Sequence, residues 1–340
     1  MSDRKKNIVL LTASLLFSLL LAEIVLRCFV DQETKRLAVY DRELGWTGRP
    51  NGEGVYIRKK DNIRTSFRYN ELGFRDEGVS EKVSGTTRVL LLGDSFLESL
   101  EVEYEQIFHE LFETNLNANG TDRYDVVNVS SQGYSTAQEL LALRKYRDIV
   151  RPDVVMLVIY TGNDFADNLR SDFAYLDDEG NLQFVKPESS TLTDLDYSFR
   201  RWIYEQSHLV FYLKNTYESL TNQRVAANGK AARSATREEM NVLMYRLIAE
   251  TQKETESIGS LFGVVLITSR EELKDQDLRR TDVVAEACAA LAVPVLDLRS
   301  VLRTEHFFLN DGHFNPDGHS LTAEKLYSFF MKTYVEGRDG

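Results

Sequence analysis

Cysteine is scarce in this chain: Cys28 and Cys288 are the only two in 340 residues. That excludes a disulfide framework and a thiolate zinc cluster. Proline, at five residues, and glycine, at nineteen, are too few for a collagen-like or low-complexity architecture. Positive charge is short as well. Lys and Arg number 41 against 53 Asp and Glu, a net charge of −12. A nucleic-acid partner is therefore not expected, because tracking a phosphate backbone needs a basic stripe. The sequence has no glycine-rich phosphate loop and no His/Asp cluster with zinc spacing, so no cofactor and no metal are expected. What the chain does have is a substantial apolar content, 43% of residues, enough for a sizeable core.

The first thirty residues stand apart. Arg4, Lys5 and Lys6 precede Ile8–Ala22, a run of fifteen residues without charge. Glu23 and Arg27 interrupt its tail at helical i,i+4 spacing, and apolar character continues to Val30. The stretch 8–30 is long enough to cross a bilayer, since a helix needs about 20 residues for a hydrocarbon core of ~30 Å. A cleaved secretory signal is the competing reading, but no A-x-A-like site follows Ala22. An uncleaved signal anchor is favoured, with 1–7 as a cytoplasmic tail. The basic flank stays inside, so both readings place the bulk of the chain outside the cytoplasm, periplasmic or extracellular. The part beyond residue 30 keeps 37 basic and 51 acidic residues, a balance of −14. Taken as a whole it is not expected to be drawn to anionic headgroups.

Residues 31–85 are polar and read as a connecting arm with a few short strands. From residue 86 the pattern becomes apolar runs alternating with amphipathic helices. Residues 88–93, 124–129, 153–160, 263–269 and 293–298 are Val-, Ile- and Leu-rich runs of the kind found in parallel strands covered on both faces. Helices are expected around 107–112, from a capping-box pattern at Thr136–Glu139, over 282–292 and over 321–334. This alternation predicts βαβ units, hence a doubly wound, five-stranded parallel sheet over 86–336. An insertion at about 165–250 separates strands three and four. It begins with a hairpin turning at 178–180, continues through an aromatic-rich helical stretch at 193–220, and ends in a helix at 239–258. On the ligand side of a sheet such an insertion is a candidate lid or specificity element.

Ligands of such sheets bind beyond the carboxyl ends of the strands. There the sequence places Gly93-Asp94-Ser95-Phe96, Ser131-Gln132-Gly133-Tyr134, Thr161-Gly162-Asn163-Asp164 and Asn310-Asp311-Gly312-His313-Phe314-Asn315. Each motif alone is common. In this order, each at a strand end, they are specific.

The pattern resembles the SGNH hydrolase superfamily, the GDSL-type esterases and acyltransferases, over about residues 86–335. "LLLGDSF" and "TGND" are close matches, and the glycine block is looser. The resemblance, to the membrane-anchored bacterial type, implies a flavodoxin-like three-layer α/β/α fold and serine-based acyl chemistry. Ser95 would be the nucleophile and His313 the base, with Asp311 orienting it. The backbone N–H groups of Ser95 and Gly133 and the Asn163 amide would form an oxyanion hole. The commonest family pattern puts the acid three residues before the histidine, where this chain has Asn310. Asp311, two before His313, is similar to the alginate O-acetyltransferase-like branch. A second Asp-Gly-His, Asp317-Gly318-His319, competes for the base. The x-N-x-x-G that follows the family histidine matches residues 314–318 and favours His313. The "YNELGFRD" stretch at 69–76 is similar to one preceding the serine block in membrane-anchored bacterial members. Asn70, Gly73 and Arg75 are read as a brace packing the arm on the sheet. Asp94 and Asp164 are expected to support loops, and His109, His208 and His306 to be packing or surface residues. The implied partner is an acylated glycan or other envelope ester, reached from the membrane through the N-terminal helix. A lipase with a lid and a non-catalytic envelope scaffold are the alternatives.

Overall fold

A computed structural model describes residues 3–30, 37–118, 120, 123–170, 173–185, 199, 202–203, 206–214, 216 and 237–336. They fall in two compact units, one of residues 1–35 with 189–231 and one of residues 36–188 with 232–340. Residues 221–236, polar and small in composition, and most of the expected aromatic-rich helix at 193–220 lie outside the described residues.

The larger unit is built on a five-stranded parallel sheet. Ahead of the sheet come two hairpins, β1 (Ala38–Asp41) with β2 (Gly45–Gly48) and β3 (Glu53–Arg58) with β4 (Ile63–Arg68). The sheet strands are β5 (Thr86–Gly93), β6 (Arg123–Ser130), β7 (Val154–Tyr160), β10 (Leu261–Ile267) and β11 (Val295–Asp297). Between β7 and β10, β8 (Ala174–Leu176) and β9 (Leu182–Phe184) form a third hairpin. The spatial order is β11-β10-β7-β5-β6, the doubly wound order 2-1-3-4-5 when the sheet strands are counted along the chain. Each of the five apolar runs became a strand, with ends within a few residues of the sequence reading.

Alternate residues of each strand feed two cores, as the period of two requires. Leu90, Leu92, Val127, Leu157 and Leu266 face helices α4 (Thr136–Val150), α6 (Arg237–Ser257) and α8 (Arg279–Ala290). Val89, Leu91, Val126, Met156 and Val265 face α3 (Phe108–Asn117) and α9 (Pro316–Phe330). Helix α6 supplies Leu243, Met244, Leu247 and Ile248 to the first core, so it is a crossover helix of the sandwich, and the added segment lies ahead of it. The capping box that opens α4 sits one residue earlier than its sequence pattern suggested. Ser135 accepts from Gln138 N–H, and the Gln138 side chain returns to Ser135 N–H.

The arm is folded onto the sheet. Leu44 and Phe74 are fully buried in the first core. Arg75 is fully buried too and donates to the carbonyls of Glu98, Ser99 and Val102 in the loop after β5. Asn70 Oδ1 accepts from Leu72 and Phe74 N–H, and Gly73 adopts φ +88° against the Gly48 carbonyl. A Cβ at Gly73 would come 2.2 Å from that oxygen. The brace read from these three residues is therefore what packs the arm.

The smaller unit contains α1 (Asp3–Phe29), long and apolar enough over Arg4–Phe29 to cross a membrane, with none of its most apolar stretch buried.

Candidate active site

The connections of β5 and β7 leave on opposite faces, which opens the carboxyl edge between their ends. From Arg88 to Val102 every residue is buried except Ser95, which is partly exposed. Ser95 opens a one-turn helix, α2 (Ser95–Glu98), whose N-cap Asp94 accepts from Phe96 N–H. The turn lifts one hydroxyl out of the core and locks the residues on both sides of it.

The Ser95 Oγ lies 2.7 Å from His313 Nε2. On the other side of the ring, His313 Nδ1 is hydrogen-bonded to Asp311 Oδ1. An anionic acceptor at Nδ1 fixes the tautomer that leaves Nε2 free to accept a proton. Gly312 makes the close Asp-x-His return feasible with φ +90°. Phe96 wedges the ring in place, its centroid 5.0 Å from the His313 ring and 3.8 Å from Tyr160, against which it stacks. The serine, histidine and aspartate singled out in the sequence are thus brought into one hydrogen-bonded chain. His319 is not part of it. It is buried in α9, where Nδ1 accepts from Phe108 N–H at 3.3 Å.

Two residues that sequence reasoning passed over complete the surroundings of His313. Arg58, at the end of β3, reaches across to Asp311 Oδ2 at 2.6 Å. Glu101, almost fully buried, holds Oε1 3.5 Å from His313 Nδ1, beside the Tyr56 hydroxyl. Burial opposes charge on His313, but Glu101, the hydrogen bond and charge of Asp311, and Asp94 outweigh it and raise its pKa to about 9. For Asp311, burial pushes upward and is overcome by the His313 hydrogen bond and the charges of His313 and Arg58, so its pKa is lowered. Burial raises the pKa of Glu101, reinforced by Asp311 and opposed by His313. Among the described residues Glu101, Asp311 and His313 bring ligand-type atoms within 4.8 Å of one another. Arg58 already supplies the positive charge at that spot and disfavours a cation.

Gly133 follows β6 with φ +73°. A Cβ there would meet only Trp46 Cζ2, at 3.7 Å, so the backbone angle, more than lack of space, selects glycine. Trp46 of β2 donates to the Gln132 carbonyl at 3.2 Å, and Tyr134 OH donates to the Trp46 carbonyl at 2.7 Å. Glu98 accepts from Gln132 N–H and from Tyr69 OH. The glycine loop is therefore held by arm residues and by the helix carrying Ser95. Asn163, after β7, donates both amide hydrogens to carboxylates, Asp94 Oδ2 at 3.0 Å and Asp167 Oδ2 at 2.8 Å. Asp94 and Asp164 support the loops as expected: Asp94 ties Phe96 and Asn163, and Asp164 accepts from Tyr160 N–H.

No family model and no curated protein matches the chain. Among solved structures it is similar to TesA, with 15% identity and a TM-score of 0.44 over 72% of this chain and 99% of that one. It is also similar to the psychrotrophic esterase EstA from Pseudoalteromonas sp., with 12% identity and a TM-score of 0.43 over 72% and 97%. The acetyl xylan esterase AlAXEase gives 14% and 0.42 over 71% and 98%. Likenesses this distant leave the chain's own geometry as the basis for any functional reading.

Proposed function

We propose that the chain is a membrane-anchored serine ester hydrolase or acyltransferase of the SGNH type, acting outside the cytoplasm on O-acyl groups of a glycan or other envelope polymer. The observation that carries the chemistry is the 2.7 Å contact of Ser95 Oγ with His313 Nε2, with Asp311 on the far side of the ring. The substrate class rests on the family resemblance and on the expected export of the chain.

In this reading Ser95 Oγ attacks the ester carbonyl carbon while its proton passes to His313 Nε2. Asp311 stabilises the imidazolium that forms and keeps its orientation. The carbonyl oxygen, now an oxyanion, is held by Ser95 and Gly133 N–H. Asn163 joins them when its amide exchanges the Asp167 carboxylate for the substrate oxygen. Collapse of the intermediate expels the alcohol, which takes the proton from His313 and leaves an acyl-serine. Water, or a sugar hydroxyl in a transferase, then attacks the acyl carbon by the same route and regenerates Ser95.

The test is turnover of p-nitrophenyl acetate and longer-chain esters by the full-length protein in detergent, wild type against Ser95→Ala. Turnover of the acetate that disappears in the variant is the expected result. A preference for long chains moves the assignment to a lipase. Equal rates in the two proteins remove the serine mechanism.

A further inference from the structure

The smaller unit holds an explanation for the two charges that interrupt its apolar helix. Glu23 of α1 accepts three hydrogen bonds from the insertion: Ser207 Oγ at 2.8 Å, His208 N–H at 2.9 Å and Leu209 N–H at 2.9 Å. Arg27 donates to Glu23 at 2.7 Å and also to the Gln206 carbonyl. Residues 208–214 are helical, and Ser207 Oγ accepts from Val210 N–H at 3.1 Å as its cap. A carboxylate on the first free N–H groups of a helix is favourable both as an acceptor and against the helix dipole. Glu23 and Arg27 therefore act as a clasp that holds this segment against the end of α1.

The clasped segment buries Phe211 but leaves large apolar side chains outside. Tyr212 is 46% exposed and Leu213 56%, and upstream Phe199 and Trp202 stack on each other at 61% and 59% exposure. Its charge also departs from the rest of the chain, with Arg200, Arg201 and Lys214 against Glu205 in a protein of net −12. The level of the clasp follows from helix geometry. Arg4 and Glu23 are nineteen residues apart, about 28 Å along a helix rising ~1.5 Å per residue, against a hydrocarbon core of ~30 Å. With Arg4 at the inner face, Glu23 falls at the outer interface, where Trp and Tyr collect and basic side chains meet lipid phosphates.

We propose that the insertion around Phe199, Trp202 and residues 206–214 forms an interfacial membrane-binding surface, clasped to the anchor by Glu23 and Arg27 and covered on its aromatic side by the outer surface of the bilayer. The proposal rests on the reading of α1 as an uncleaved span. The insertion is thereby a second membrane contact, and the aromatic run is neither lid core nor a carbohydrate platform.

Trp202 is one of only two tryptophans, so the test is fluorescence of the full-length protein in phosphatidylcholine vesicles. Quenching by lipids brominated along the acyl chain and by aqueous iodide is compared for wild type and Trp202→Phe, the difference being the Trp202 signal. Expected is a Trp202 component cut about twofold or more by brominated lipid and shielded from iodide. Glu23→Ala should weaken the bromolipid quenching while the protein still sediments with the vesicles. A Trp202 component quenched by iodide and untouched by brominated lipid overturns the interfacial surface alone. Shielding from both quenchers also overturns it, since protein then covers the patch. A chain that does not sediment with vesicles after an alkaline wash removes the span reading and this proposal together.

Discussion

Asp311-Gly312-His313 and Asp317-Gly318-His319 are the same three residues six positions apart, and the fold sends them in opposite directions. In the first, Gly312 at φ +90° curls the backbone so that the aspartate meets its own histidine. In the second, Asn315 caps α9 through Gly318 N–H, the tripeptide is helical, and Asp317 points to solvent. His313 sits among Asp311, Glu101 and Asp94 with a pKa near 9, whereas burial and nearby positive charge push His319 down to about 3. Identical chemistry thus becomes a candidate base in one place and a core ring stacked on Phe108 in the other. Backbone conformation and the charges brought by distant residues make the difference.

The sharpest way to break this contrast is to exchange the two histidines' fates by mutation. His313→Ala should lower kcat by about 10⁴-fold or more, because a triad missing its base retains little beyond oxyanion stabilisation and binding. His319→Ala should keep kcat and lose about 2 kcal/mol of stability through a cavity and an unpaired Phe108 N–H. Steady-state kinetics with calorimetry reads both, and the opposite pairing would move the base to His319. Asp311→Asn should cost kcat nearly as much as the histidine, about 10⁴-fold, since the wrong tautomer is then favoured.

Smaller effects come from Arg58 and Glu101. A base at His313 works only when the ring is neutral, and the anions beside it raise its pKa, so activity should appear on the alkaline side. Removing the negative charge in Glu101→Gln should move the acid limb of kcat/KM to lower pH by about one unit. Arg58→Met leaves Asp311 unbalanced and should move the same limb to higher pH. Limbs that stay in place in both variants would mean that neither residue acts on the base. Least in size is the pH dependence of folding. His319 has a folded pKa below its unfolded one, so the unfolded chain binds more protons between about 3 and 6.5. Stability should fall as pH drops through that window, and less so in His319→Gln.

The sandwich was legible because fully covered parallel strands announce themselves as continuous apolar runs, and because a strand-end motif has only one edge on which to sit. Ser95, Asp311 and His313 were readable for the same reason. Arg58, Trp46 and Glu101 were not. Arg58 and Trp46 belong to polar hairpins whose short strands carry little periodic signal, and their importance lies in contacts with loops far along the chain. Glu101 did leave a trace, as an acid set between the apolar Leu100 and Val102 shortly after the serine block. The role of Glu23 and Arg27 was equally hidden, since i,i+4 spacing suggests only a mutual pair.

The central claim is that Ser95 is an activated nucleophile, and labelling tests it most directly. A fluorophosphonate should form one covalent adduct, located on Ser95 by peptide mass spectrometry, with a rate that collapses in His313→Ala and is unaltered in His319→Ala. An adduct on another residue, or labelling that persists undiminished in Ser95→Ala, would contradict the account.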